Sequence, residues 1–446
     1  MRPSLGQKIV LASRGTSGDV IPLVGLGKQL QALGHRPLLA VAREFEPLVR
    51  QHGLDWASMA PHFSQYERDL QMSRTTILQK AFTPVSGGRF VTHRLVMPYL
   101  AQACADLSAA LEGADLLVAT PTAMWARIVA HEKQVPWHAL MLAPLMVGAL
   151  SAQDPLHMPY VPLEAAVRCL GQERFRGIFG WLRNLGRPTL KSLDDLARRA
   201  GCHNPEINPV FEGTFSPSGT TVLVPPQMMR QPLATDLPGP VRYAGFAFFD
   251  GGKPSLPVEL EAFLADGEPP LVFTMGSGAV AMADRYYVAW SAMCAKWGWR
   301  ALFLSADQDL GHSLPDTQRL VRWVSVAALF PRCRAVINFG GIGTSGQIVV
   351  AGVPQIVVPI TFDQPDNAAR LARMGASLTV RSMQARGPVM EAALHRLVHD
   401  AALHRRARQL KDEINQVCGL ETTARWLDED LRRSGAVGTD RRALRA

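Results

Sequence analysis

The stretch INFGGIGTSGQ, residues 337–347, joins an apolar run to a glycine-rich turn and then to a helical pattern. Backbone N–H groups at such a strand-to-helix junction receive an anion, with the positive end of the helix dipole behind them. Glycine lets the chain approach a phosphate closely. A second junction of this kind is MGSG, residues 275–278. Ser277, Thr344 and Ser345 add hydroxyl donors. One such turn is commonly structural; two in the same half of a chain favour a diphosphate. The longer stretch carries no Lys, Arg or His. The charge of its ligand must then be met by amides and a helix dipole, or by a cation from elsewhere.

These junctions need strands and helices to hold them. KIVLAS (8–13), a turn RGTSGD, an apolar-periodic run VIPLVGLGKQLQALGH and HRPLLAVA (35–42) predict a strand, a loop, a helix and a second parallel strand. ADLLVAT (114–120) and WHALML (137–142) read as further buried strands, with helical pattern over 94–111 and 122–134. Residues 150–215 read as mostly helical. A Pro/Gly-rich zone over 216–257 reads as the linker and rim of a second domain. Strand and helix then alternate afresh, with strands at 270–277, 300–306, 319–324, 334–339, 355–359 and 376–380. Two doubly wound parallel sheets place a ligand cleft at the carboxyl ends of their strands.

The bulk properties agree. At 446 residues the chain is long enough for two domains. Its longest apolar run, HALMLAPLMVGALSA (138–152), is too short to cross a membrane and is broken by Pro and Gly. The N-terminus lacks a signal core, so a cytoplasmic location is expected. The six cysteines are scattered without a CxxC pair, which suits free thiols and provides no zinc site. The formal charge of +9 gathers at RRARQLK (405–411) and in the tail RRSGAVGTDRRALRA. Such runs are first of all solvated helix faces; they also suit peripheral contact with an anionic membrane on its inner face. No aromatic platforms interleave with them, which argues against nucleic acid.

Residues 336–371, VINFGGIGTSGQIVVAGVPQIVVPITFDQPDNAARL, resemble the donor-binding signature of the family 1 glycosyltransferases. The likeness is to bacterial rhamnosyltransferase catalytic chains, sterol glucosyltransferases and glycopeptide-antibiotic glucosyltransferases. Gly340, Gly341, Gly343, Thr344, the AGVPQ turn (351–355), Asp363, Gln364 and Asn367 all stand at the family's spacing. GTSGDVIPLVGLGKQLQALGH (15–35) resembles the same family's acceptor-side loop and first helix. The resemblance implies an α/β protein of GT-B architecture, two Rossmann-like doubly wound domains facing a central cleft. It places an acceptor domain at 1–218 and a nucleotide-sugar domain at 219–418. Residues 419–446 follow as a helix crossing back to the first domain, ETTARWLDEDLRR, and a basic tail.

The same resemblance implies roles. Trp323 stacks on the nucleotide base, where an indole gives area at low entropic cost; a Trp at a strand end also simply caps a core. Ser277, Gly340, Gly341, Gly343 and Thr344 meet the diphosphate. Asp363 and Gln364 hold sugar hydroxyls, one accepting and the other donating. Asp19 matches the general base that takes the acceptor proton, and an Asp after Gly is also a good helix N-cap. One departure stands out. Asn338 occupies the place of the family's phosphate-binding His, and Phe339 that of a second His. Asn brings no charge, and a charge-assisted bond is about twice as strong as a neutral one.

Other motifs carry less. DQD (307–309) imitates a metal-binding pair but lies away from the longer match. Glu421 and Glu429 on the last helix, and His399 and His404 beside a basic run, read as surface features. No GxSxG elbow supports a serine hydrolase. The expected activity is inverting, metal-independent transfer of a hexose from a UDP- or dTDP-sugar to a hydroxyl of a hydrophobic small molecule or lipid, with no cofactor beyond the co-substrate. The alternative is a non-catalytic relative that binds nucleotide or a partner enzyme. Oligomeric state leaves no trace in the sequence.

Overall fold

The computed structural model describes residues 6–83, 86–158, 161–249, 255–275, 284–305, 314–322, 324–414 and 418–443. Its first sheet contains β1 (Lys8–Ala12), β2 (Arg36–Val41), β3 (Asp55–Ser58), β4 (Leu116–Ala119), β5 (Trp137–Met141), β6 (Thr220–Val222) and β7 (Val241–Tyr243). The strands are parallel, in the order β3-β2-β1-β4-β5-β6-β7. The second sheet contains β8 (Leu271–Thr274), β9 (Ala301–Leu304), β10 (Gln318–Val321), β11 (Ala335–Asn338), β12 (Gln355–Val357) and β13 (Ser377–Thr379). It too is parallel, in the order β10-β9-β8-β11-β12-β13. The central strands are short apolar runs because helices cover both of their faces: Leu116–Ala119, Trp137–Met141 and Ala335–Asn338 are buried throughout.

Each sheet reverses its winding once, between β1 and β4 in the first and between β8 and β11 in the second. Loops leaving adjacent strands at such a point diverge and open a crevice. The turn before Asp19 leaves β1, and the glycine turn leaves β11. Topology therefore puts both candidate elements at the switch points of their own lobes.

The division at residue 218 does not hold. β6 and β7 extend the first sheet, so the first lobe runs through Tyr243 and the connection follows it. Both strands are three residues long and sit among prolines and glycines, which hid them. One of their buried polar groups is satisfied within the sheet. The buried Thr221 hydroxyl lies 2.9 Å from Nε2 of buried His138, and burial pushes that imidazole down to about 4.

The last helix, Gly419–Ala443, crosses back onto the first helix, Ser17–Ala32. Leu420, Ala424, Leu427 and Leu431 share one core with Val20, Leu23, Val24 and Leu26. Gly25 sits where the two come closest: a Cβ there would lie 2.6 Å from Leu420 Cδ1 and 2.8 Å from Phe249 Cβ. Gly25→Val is expected to cost about 1–3 kcal/mol by overpacking, read as a lower urea midpoint. An unchanged midpoint would mean that this crossing is loose.

The lobes are also joined by buried charge. Arg370, on the helix Gln364–Arg373, donates from Nη1 to Asp154 Oδ2 of the first lobe at 2.7 Å and from Nε to Asp366 Oδ2 at 2.8 Å. Asp366 Oδ1 accepts from the His157 backbone N–H at 2.8 Å and lies 3.1 Å from its Nδ1. His157 Nε2 lies 3.0 Å from Glu164. Asp154, Asp366 and Arg370 are all buried.

Candidate active site

Asp19 stands in the first turn of the helix that follows β1. Thr16 is the N-cap, in extended conformation, and Asp19 closes the cap from the third helical position. Its Oδ2 accepts from the Thr16 backbone N–H at 2.8 Å and from the Thr16 hydroxyl at 3.4 Å. Among the described residues Oδ1 receives no hydrogen bond, so it remains available to a hydroxyl. Burial pushes the carboxyl above its ordinary pKa, and the two bonds from Thr16 oppose that rise.

A trio of hydroxyls holds the loop before it. Thr120 lies 2.9 Å from Ser13 and 2.7 Å from Thr122, and Ser13 lies 3.1 Å from Thr122. Thr122 also accepts from the Arg14 backbone N–H, and Ser13 from that of Gly15. The trio ties the loops after β1 and β4 together at the switch point. The sequence hid it because Ser13 stands far along the chain from Thr120 and Thr122 and the three carry no motif.

On the other lobe the glycine turn leads into the helix Ile342–Ala351. Gly340 has φ +83°, and a Cβ there would lie 2.8 Å from Val357 Cγ1, so only glycine fits. Gly341 is the cap residue, and no side chain caps this helix. Gly341 and Gly343 are exposed and face open space, with no atom within 4 Å of where a Cβ would stand. Half-buried Thr344 follows in the first turn. The first helical N–H groups lack intrahelical partners and are left for solvent or an anion.

Asn338 does not face that space. It is 1% exposed, and its amide Nδ2 donates to Gln355 Oε1 at 2.8 Å. Its Oδ1 accepts from the Gly340 N–H at 2.7 Å and the Ser345 hydroxyl at 3.1 Å. Both ends of the amide shape the turn, and the Ser345 hydroxyl is spent there too. Phe339 points the other way, into the core against Tyr286 and Trp290, and does not block the cleft.

Asp363 and Gln364 begin the next helix, Gln364–Arg373. Gln364 Oε1 accepts from the backbone N–H groups of Ile360 and Thr361 at 2.9 and 3.1 Å, and among the described residues its NH₂ has no bond. Asn367, fully buried, divides one NH₂ between two acceptors, Asp363 Oδ2 at 2.7 Å and the Gly340 carbonyl at 2.9 Å. It thereby ties the carboxylate to the glycine turn. Asp363 is pushed up to about 6, chiefly by burial and further by the charges of Asp19 and Asp366, while the Asn367 bond opposes the rise. The charge of Asp19, on the other lobe, is thus felt at Asp363. Beside them Phe362, at φ +56° and 41% exposed, meets Phe82 of the first lobe edge-to-face at 5.4 Å.

The arginines on these elements are engaged elsewhere. Arg14 donates to the Leu95 carbonyl and packs over Tyr66, and burial lowers its guanidinium to about 10. Arg370 is bound by its two aspartates. Ser277, Trp323, most of MGSG and the DQD motif lie outside the described residues. Glu421 and Glu429 pair with Arg425 and Arg433 along the last helix. His399 packs against His395 and Trp299, and His404 lies 2.8 Å from the Leu397 carbonyl. Among the described residues no three His, Cys, Asp or Glu side chains cluster to hold a metal.

Two doubly wound parallel lobes, joined end to end and closed by a last helix that returns to the first, define the GT-B class of glycosyltransferases. Known proteins agree with that assignment. Residues 9–148 match the Glycosyltransferase family 28 N-terminal domain, and residues 302–422 match the Erythromycin biosynthesis protein CIII-like C-terminal domain. Over 444 residues the chain is 30% identical to the O-mycaminosyltylonolide 6-deoxyallosyltransferase of Streptomyces fradiae, spanning 95% of this chain and 97% of that one. It is 26% identical to the Sterol 3-beta-glucosyltransferase of Aspergillus oryzae over 96% of its own length, which is 31% of that longer protein. In fold it is similar to the Spinosyn Rhamnosyltransferase SpnG complexed with thymidine diphosphate, at a TM-score of 0.63 and 20% identity, covering 95% of this chain and all of that one. The chain belongs to the family 1 GT-B glycosyltransferases.

Proposed function

We propose that this glycosyltransferase moves a hexose from a dTDP- or UDP-sugar to a hydroxyl of a hydrophobic small molecule or lipid, with inversion and without a metal. The observation that carries the reading is an uncapped glycine turn tied through Asn367 to the Asp363 carboxylate, with Asp19 at the switch point of the other lobe. In this reading the acceptor O–H gives its proton to Asp19 Oδ1 as the oxygen attacks the anomeric carbon. The bond from that carbon to the diphosphate oxygen breaks, and the nucleoside diphosphate leaves with the electron pair. Backbone N–H groups of Ile342, Gly343 and Thr344 and the dipole behind them receive the leaving charge. One displacement guided by one base inverts the anomeric centre. Asp363 and the NH₂ of Gln364 hold hydroxyls of the sugar, and Ser277 and Trp323 complete the donor site.

The donor and acceptor classes rest on the relatives. One is named for a deoxysugar transfer to a macrolide, one for glucose transfer to a sterol, and the structural neighbour holds thymidine diphosphate. No described helix is long and apolar enough to cross a membrane, and a place in the cytoplasm, meeting the membrane only at its surface, fits the reading. The non-catalytic alternative is not favoured, because the match to a named transferase covers 95% of the chain and Asp19 Oδ1 receives no hydrogen bond among the described residues.

The test is turnover read by mass spectrometry with dTDP- and UDP-sugars and a panel of macrolide, sterol and lipid acceptors. Product loss in Asp19→Ala with full turnover in EDTA is the expected result. Loss of turnover in EDTA, restored by Mg²⁺, would contradict it. Asn367 gives a finer check. Asn367→Leu strips a hydrogen bond from a carboxylate, worth about 1.5–3 kcal/mol. The donor KM is expected to rise on the order of ten- to a hundred-fold. The acid limb of the rate profile should also move to higher pH, because the lost bond is one that holds the Asp363 pKa down. An unmoved limb with an unmoved KM would exclude Asp363 from the donor site.

A further inference from the structure

Away from the cleft, the first lobe presents an apolar stripe to solvent. The helix Leu163–Leu170 starts at the interlobe charge cluster through Glu164, which faces Arg230 and Arg373. It leads through Gly171 into the helix Gln172–Asn184. That second helix buries Phe175 and packs Phe179 beside it. Its other side shows Ile178, Trp181 and Leu182, and Leu185 continues the stripe past the helix end; these are 50%, 63%, 47% and 58% exposed. At helical spacing the four share one face with Arg174 at its head, and Glu173 falls off that face. Arg168, on the preceding helix, is exposed as well. Neither arginine has an ion-pair partner among the described residues.

From this arrangement we infer that the stripe from Ile178 to Leu185 seats the acceptor lobe on an anionic lipid surface, with Arg168 and Arg174 against the headgroups. Aliphatic side chains and an indole on one face, with basic residues at its margin, describe a helix lying in a membrane interface. The charge selects the occupant. A second copy docked face to face would bring two sets of these arginines together without acidic partners, which is unfavourable. An anionic bilayer offers both the apolar layer and the counter-charge. Because the helix pair begins at the interlobe charge cluster, a lobe seated this way would bring the join of the two lobes toward hydrophobic acceptors dissolved in the bilayer. That consequence rests on the proposed acceptor class; the binding itself does not.

The full chain is floated with vesicles of phosphatidylcholine alone and of phosphatidylcholine with phosphatidylglycerol. The expected result is flotation with the anionic vesicles, weakened by salt. A triple variant, Ile178→Ser with Trp181→Ser and Leu182→Ser, should lose at least about ten-fold in partitioning. Arg168→Glu with Arg174→Glu should lose the preference for phosphatidylglycerol. Both variants should keep wild-type turnover on a water-soluble acceptor, which reports an intact fold and site. If turnover fails in the wild type, the functional proposal falls while flotation still decides this one. Equal flotation of variants and wild type, no flotation with either vesicle, or a wild-type dimer that the triple variant converts to monomer would overturn it. So would capture of one defined protein partner through the stripe in the absence of lipid binding.

Discussion

Asp19→Asn is expected to lower kcat on the order of a hundred- to ten-thousand-fold, the usual contribution of a positioned general base, while the melting shift induced by dTDP or UDP stays as in the wild type. The amide keeps the size of the side chain and can still accept from Thr16, but it cannot take a proton. The stability consequence has the opposite sign. Burial raises the folded-state pKa of Asp19, and Asp363 is raised to about 6. A carboxyl raised in this way contributes stability that is complete below its unfolded value near 3.8 and is lost as pH rises through the folded value. At neutral pH Asp363 is therefore held charged at a cost, and ionising Asp19 opposes folding in the same direction. Asp19→Asn should melt higher than the wild type at neutral pH and show little difference at pH 4, while turnover collapses. A variant that lost activity by misfolding would melt lower. In the wild type Asp363 contributes to the acid limb, and activity should fall as pH drops through the region near 6.

Arg370→Met is expected to cost about 3–5 kcal/mol of stability, because it leaves two buried carboxylates without the guanidinium that both of them bind. Asp154 and Asp366 come from different lobes and meet on this one guanidinium. Adding Asp154→Asn and Asp366→Asn to the variant should recover much of the loss. Urea unfolding of the single and triple variants measures both effects. A single variant within about 1 kcal/mol of the wild type would show that the cluster contributes no more than a surface pair.

The sequence disclosed the elements whose chemistry is local. Runs such as LVFT, ALFL and AVIN are apolar on both faces because both faces are covered, so the six strands of the second lobe could be read directly. The crossing of the last helix over the first followed from the family likeness, and Leu420, Ala424 and Leu427 bear it out in the packing. β3 was missed because DWAS is only half-buried and carries no apolar run. β6 and β7 were missed because three residues amid Pro and Gly show no period, although the first sheet pairs them.

The site was legible only where a residue faces the cleft. Gly341 and Gly343 keep open surroundings, and one Asp19 oxygen receives no hydrogen bond among the described residues. Asn338 looked like a weakened phosphate ligand because identity alone does not say which way an amide points. Its bonds to Gln355, Gly340 and Ser345 make it the pin of the turn. Asn367, recognised only as part of a motif, links that turn to Asp363 through two bonds from a single nitrogen. The Ser13, Thr120 and Thr122 trio had no signature, since only the fold brings distant hydroxyls together.

A crystal structure of the Asp19→Asn protein holding an intact nucleotide-sugar and an acceptor would show the proposed chemistry in place. Diphosphate oxygens are expected within hydrogen-bond distance of the Ile342–Thr344 amides, and sugar hydroxyls on Asp363. The acceptor oxygen should lie between the anomeric carbon and the side chain at position 19. A diphosphate seated away from the glycine turn, or an acceptor hydroxyl out of reach of position 19, would contradict the mechanism.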